Sequence, residues 1–140
     1  MQAVATWRRG HEILLEDGRA HSVVVDLPPE GGGTSAGTSP LELAALSLAG
    51  SLASSFVTLA RKRRLEFSAL TLALEGDPVA AEGARREIHG TMRVRSRADR
   101  TELDATFRAA LESCPVARVF RDAQVTMNVV LVVMPSGRGP

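Results

Sequence analysis

A single thiol, Cys114, stands among the 140 residues, directly before Pro115. A cysteine reacts as its thiolate, so chemistry near neutral pH requires surroundings that lower its pKa. Arg118 and Arg121 follow closely enough to supply positive charge. The same thiol also reads as a small buried hydrophobe, because free cysteine is among the most buried residue types. Hydroxyls are plentiful in residues 41–64, where Ser47, Ser51 and Ser55 recur every four positions. A serine nucleophile needs a histidine base in reach. His11, His21 and His89 all fall on expected strands or their ends, which argues against a hydrolase. Three histidines and one cysteine without ligand spacing offer no metal site. The glycines of residues 28–38 lack the Lys-Ser/Thr ending of a phosphate loop. No cofactor is expected.

The elements that must position these groups centre on residues 41–64. Ser39 suits an N-cap and Pro40 the first helical position, with Glu42 at capping-box spacing. Leu48, Leu52, Phe56 and Leu59 form a large apolar ridge, while Ala45, Ala49, Gly50 and Ala53 keep the cylinder thin. A helix apolar nearly all round must be buried. Its thinness invites a partner backbone, expected to be a second copy of the chain. Its length would also span a bilayer, but its serines, Glu42 and the flanking amphipathic strands favour a buried helix.

Before this helix, residues 2–7, 11–15 and 20–27 read as a strand meander, with Asp17 and Gly18 marking a hairpin. Residues 28–38 read as a flexible loop. After it, residues 66–75 and 86–97 alternate as half-buried strands, with Leu70, Leu72, Leu74, Ile88, Met92 and Val94 inward. Thr101 is the expected N-cap of a second helix, along which Leu103, Phe107, Ala110, Leu111 and Cys114 share one side. Cys114 and Pro115 are expected to end it. Residues 124–134 read as a last strand and residues 135–140 as a tail. The order predicts an α+β fold, a mainly antiparallel sheet with helices on one side, in one domain over residues 1–134.

Net charge is +1, so no global field favours nucleic acid or an acidic membrane. The run Arg61, Lys62, Arg63 and Arg64 meets the negative end of the long helix, with no interleaved aromatics or second basic stripe to suggest nucleic-acid binding. The N-terminus lacks the apolar core of a signal peptide. One cysteine suits a reducing cytoplasm.

From Val25, Asp26, Leu27 and Pro28 through the glycine loop, the stretch SPLELAALSLAG, and Cys114, Pro115 and Val116, the chain resembles the OsmC/Ohr family of thiol-dependent hydroperoxide reductases. The resemblance implies an intertwined homodimer with long central helices at its core. In active members a cysteine eleven residues after the helix-opening proline attacks the peroxide; here that position is Ser51, after Ala49 and Gly50. The resolving cysteine matches Cys114. The supporting arginine of an early loop matches Arg9, with Arg8 as a rival. The supporting glutamate directly follows the proline in the Ohr branch, where this chain has Leu41, and stands one place later in other branches, as Glu42 does. One place turns a carboxylate about 100° round a helix.

A serine hydroxyl stays protonated and cannot pass to a sulfenate. The resemblance therefore implies a redox or oxidative-stress protein with weak or no two-cysteine peroxidase activity. The site residues would be Cys114, Ser51, Arg9 and Glu42, the ligand an organic hydroperoxide, and the regenerating agent an external thiol. The alternative is a non-catalytic protein binding a hydrophobic small molecule in a dimer-interface pocket. Each residue also has a plain reading: Ser51 as small helix packing, Glu42 as a capping-box member, and Arg8 and Arg9 as turn charges.

Overall fold

The computed structural model describes residues 2–76 and 87–122, together with Asn128 and Leu131. The expected last strand and tail lie almost wholly outside the described residues, as does most of the connection after Gly76. Three strands open the chain: β1 (Val4–Arg9), β2 (Glu12–Glu16) and β3 (Ser22–Val25), paired antiparallel in that order. Asp17 accepts from the backbone amides of Arg19 (2.7 Å) and His21 (3.2 Å), and Gly18 takes the left-handed backbone at φ 73° that this turn requires. These strands pack chiefly on one another. Trp7 is left 67% exposed, and Val4 and Val23 of the same sheet are exposed too.

The loop after β3 is not the free segment its glycines suggest. Asp26 is only 2% exposed and acts as its hub. It accepts from the amides of Leu27 (2.8 Å), Thr34 (2.9 Å) and Ala36 (3.0 Å), and from Thr34 Oγ1 (2.8 Å). A 3₁₀ turn at Pro29–Gly31 and a bond from Asp26 N to Thr38 O (3.1 Å) complete the loop. Gly33 lies so close to the Leu27 carbonyl and the Asp26 carboxylate that a Cβ has no room. Glycine composition signals freedom; here the glycines permit close packing instead.

The long helix α1 (Pro40–Lys62) begins as expected. Ser39 Oγ accepts from the Glu42 amide (3.2 Å), and Glu42 Oε2 accepts from the Ser39 amide (2.8 Å). Length and composition would let α1 cross a membrane, but it serves here as the core helix. Its burial departs from the expected all-round pattern. Within one chain a single stripe is buried, made of Leu48, Leu52, Phe56 and Ala60, while Leu46 on another side is 58% exposed. Strands β4 (Phe67–Gly76) and β5 (Ile88–Ser96) form an antiparallel ribbon with Leu72 opposite Met92 and Leu70 opposite Val94. Their inward side chains alternate as anticipated and pack on the α1 stripe, where Phe56 meets Phe67 edge to face with centroids 6.0 Å apart.

Helix α2 (Arg100–Ser113) starts earlier than Thr101 alone predicts. Asp99 is the N-cap, its Oδ1 accepting from the amides of Thr101 (2.8 Å) and Glu102 (3.3 Å). Aspartate here outcompetes the threonine two places on. On the buried side of α2, Ala110 and Cys114 are joined by Thr106, fully buried, rather than by Leu111, which is 40% exposed. Thr106 Oγ1 donates to Glu102 O (2.7 Å) and accepts from Arg63 Nη1 (3.0 Å), so its hydroxyl is satisfied. Pro115 ends α2 but does not end helical structure. It opens α3 (Pro115–Asp122), because a missing N–H and a fixed φ suit the first helical position.

Two outcomes test this packing. Phe56→Ala, deleting a ring only 1% exposed, should lower unfolding free energy by about 3–5 kcal/mol in urea denaturation; a change under about 1 kcal/mol would contradict the core described. The donors of Ala36 and Thr34, ahead of burial acting in the opposite sense, hold the Asp26 carboxyl well below the usual carboxylate range. A depressed folded-state pKa stabilises fully above the unfolded value of about 3.9 and is lost as pH falls below it. Acid should therefore lower the melting temperature of the wild type, and Asp26→Asn should be less stable at neutral pH with a weaker acid dependence.

Candidate functional site

Cys114 sits where α2 turns into α3. Its own amide donates to Ala110 O (2.9 Å), closing α2, while its carbonyl accepts from the Arg118 amide (3.1 Å), opening α3. Both helices lean on α1, and the thiol, with no exposed surface, points at that helix. Cys114 Sγ donates to Ser51 Oγ at 3.3 Å and accepts from the Ala117 amide at 3.5 Å. The small residues on the contacting surfaces, Ala110, Ala117 and Ala60, let the helices approach this closely.

Burial pushes the thiol pKa up, because desolvation penalises the charged form. The hydrogen bond with Ser51, the amides of Ala117 and Val116, and Ser55 oppose it, and together they hold the pKa below the ordinary thiol value. These donors are ordered for an anion. Two are free amides in the first turn of α3, at the positive end of its dipole. The other two are hydroxyls one turn apart on α1. When the thiol ionises, the Ser51 hydroxyl can rotate and donate to sulfur.

The four expected site residues separate into a pair and two outliers. Ser51 and Cys114 converge. Arg9 does not join them, since its Nε donates to Glu12 Oε2 (3.0 Å), and Arg8 pairs with the same carboxylate (3.6 Å) at the β1–β2 turn. Glu42 is engaged in its capping box and accepts from Thr38 Oγ1 (3.2 Å). The Ser39 amide, then the Ser39 and Thr38 hydroxyls, hold its carboxyl below the ordinary value. Among the described residues no ion pair joins Arg9 to Glu42. Ser55 and the Val116 and Ala117 amides were not anticipated. The sequence does carry a signal for the amides, since proline directly after the cysteine suits the first position of a new helix.

Beside the thiol lies an apolar groove of about 770 Å³, lined by Leu48, Leu52, Leu72, Leu74, Phe107 and Phe120 among others. Ala117 belongs to both, with its side chain on the groove and its amide on the sulfur. Among the described residues no group of histidine, cysteine and acidic side chains could hold a metal ion.

Residues 31–130 match the family model described as OsmC-like protein. The chain belongs to the OsmC family. Solved structures with the same fold include an OsmC like protein from Mycoplasma pneumoniae, 14% identical, covering 86% of each chain with a TM-score of 0.74. An organic hydroperoxide resistance protein OsmC from Legionella pneumophila is 19% identical over 86% of this chain and 90% of that one, with a TM-score of 0.63. OhrB of Bacillus subtilis, an organic hydroperoxide resistance protein, is 22% identical over 86% and 91%, with a TM-score of 0.56. At these identities the likeness is one of fold. No curated protein matches the sequence. The OsmC fold thus agrees with the α+β architecture read from the residues.

Removing one donor tests the site. In Ser51→Ala the Cys114 thiolate should appear at higher pH than in wild type, followed by its ultraviolet absorbance during alkaline titration. Superimposable curves would remove Ser51 from the thiol's electrostatics.

Proposed function

We propose that this OsmC-family chain is a redox protein of the hydroperoxide-resistance type that lacks the two-cysteine peroxide route and keeps Cys114 as its single redox thiol. The observation that carries this reading is the buried Cys114 Sγ at 3.3 Å from Ser51 Oγ. The place from which the family's attacking sulfur would work holds an oxygen, and the resolving sulfur faces it. Attack by the Cys114 thiolate on an organic hydroperoxide would transfer the terminal oxygen to sulfur, giving a sulfenate and an alcohol. No second thiol in the chain can condense with that sulfenate. Return to the thiol would require two equivalents of an external thiol: the first gives a mixed disulfide and water, the second releases Cys114. A reducing cytoplasm would supply such thiols. Arg9 and Glu42, both engaged elsewhere in the chain, take no part in this scheme.

The working unit in this reading is a homodimer. Leu46 of α1 is 58% exposed and Trp7 of the N-terminal sheet 67% exposed, apolar surface of the kind that a second copy would cover. A second reading, a non-catalytic binder of a hydrophobic small molecule, is favoured by the groove of about 770 Å³ that Ala117 joins to the thiol.

Peroxide consumption with an organic hydroperoxide and a dithiol reductant separates these possibilities. Wild type should turn over slowly or not at all. Ser51→Cys should gain turnover and, on oxidation, lose two hydrogens of mass per chain as the introduced thiol closes a disulfide with Cys114. Fast wild-type turnover that survives Cys114→Ala would defeat the proposal. Native mass spectrometry of protein purified from its source should give twice the chain mass; additional bound mass would favour the binder over the enzyme.

A further inference from the structure

The outward face of the β4–β5 ribbon carries its positive charge on β5, with Glu75 near the far end of β4. Arg93 and Arg95 project from β5, and Arg97 follows just past the strand end; all three are exposed. Alternate residues on a strand lie about 6.8 Å apart on one face, so Arg93 and Arg95 stand side by side, with Arg97 in the bend that follows. Across the ladder, Arg95 faces Ala69 and Arg93 faces Thr71, small side chains that leave the arginines standing proud. Among the described residues none of these three arginines has an ion pair or side-chain hydrogen bond.

The row runs toward a second basic group. Phe67 pairs with Ser96, so the start of β4 and the end of β5 lie together, and the Ser96 hydroxyl donates to Glu66 O. Arg64, three residues before Phe67, therefore emerges at the same end as Arg97. Arg61 and Lys62, in the last turn of α1, are exposed there too. Against these six cations stand Glu66 beside them and Glu75 near the far end of β4, while the Asp99 carboxylate caps α2. A net charge of +1 hides this segregation.

We propose that this face docks the phosphate backbone of duplex nucleic acid without reading its sequence. Arginine presents a planar fork that suits phosphate oxygens, and neighbouring cations fit a polymer of repeating charge. The outward residues of β4, Ala69, Thr71 and Ala73, include nothing large and apolar to enter a bilayer. Among the described residues of this face the one ring is His89, paired with Glu87 at 3.4 Å, so a single strand would find no run of stacking platforms. The surface is separate from the Cys114 site and does not depend on its chemistry.

The test is fluorescence anisotropy of a labelled duplex DNA of mixed sequence, titrated with the full chain at several salt concentrations. Three phosphate contacts predict an affinity loss of about 40-fold between 50 and 200 mM salt. Arg93→Gln with Arg95→Gln should weaken binding and reduce the logarithmic salt slope by about two. Arg93→Lys with Arg95→Lys, keeping the charge but not the fork, should retain the slope and bind less tightly. Failure to bind at 50 mM salt, binding unchanged by the glutamine pair, or binding to phosphatidylserine vesicles but not to the duplex would each overturn the proposal.

Discussion

The arrangement depends on how closely the α2–α3 corner approaches α1. Ala60, Ala110 and Ala117 occupy that interface, and the thiol fits against Ser51 because no larger side chain holds the helices apart. Burial of Leu48, Leu52 and Phe56 supplies the apolar drive, while the alanines set the distance at which it stops. A polar contact at a buried thiol is worth keeping only where the thiol is not left without a partner. The sulfur meets that condition through the hydroxyl and through the first amides of α3.

A related economy holds the N-terminal part of the chain in place. Asp26 gathers the loop before α1 through four hydrogen bonds, and Ser39 and Glu42 then fix the entry of the helix by capping each other. One carboxylate orders the loop and the other orders the helix start. Glu42 illustrates how a residue singled out by resemblance also carries a local duty: its Oε2 accepts from the Ser39 amide and the Thr38 hydroxyl and so holds the start of the helix.

Placing the chain in the OsmC family rests on a match over residues 31–130 and on fold likeness at low identity. Neither the match nor the likeness specifies chemistry. Chemistry follows from particular atoms, and here oxygen stands at residue 51 while the sole thiol lies at residue 114. The fold brings those two positions together.

The sequence by itself determined the elements whose signals are local. The capping box at Ser39 and Glu42, the alternation of Leu70, Leu72 and Leu74, and the turn at Asp17 and Gly18 are all written within a few residues, because capping, pleating and turn formation are short-range physics. Local signals were weaker where neighbours competed, as when Asp99 took the cap expected of Thr101, and where Pro115 could equally end one helix or begin another. Only the tertiary structure decided that Ser51 and Cys114 would meet, that Arg9 would turn to Glu12, and that Asp26 would reach Ala36. The first contact joins residues 63 positions apart, fixed by how α1 packs against a corner, and helical or strand periodicity carries no information about which stripe will face which.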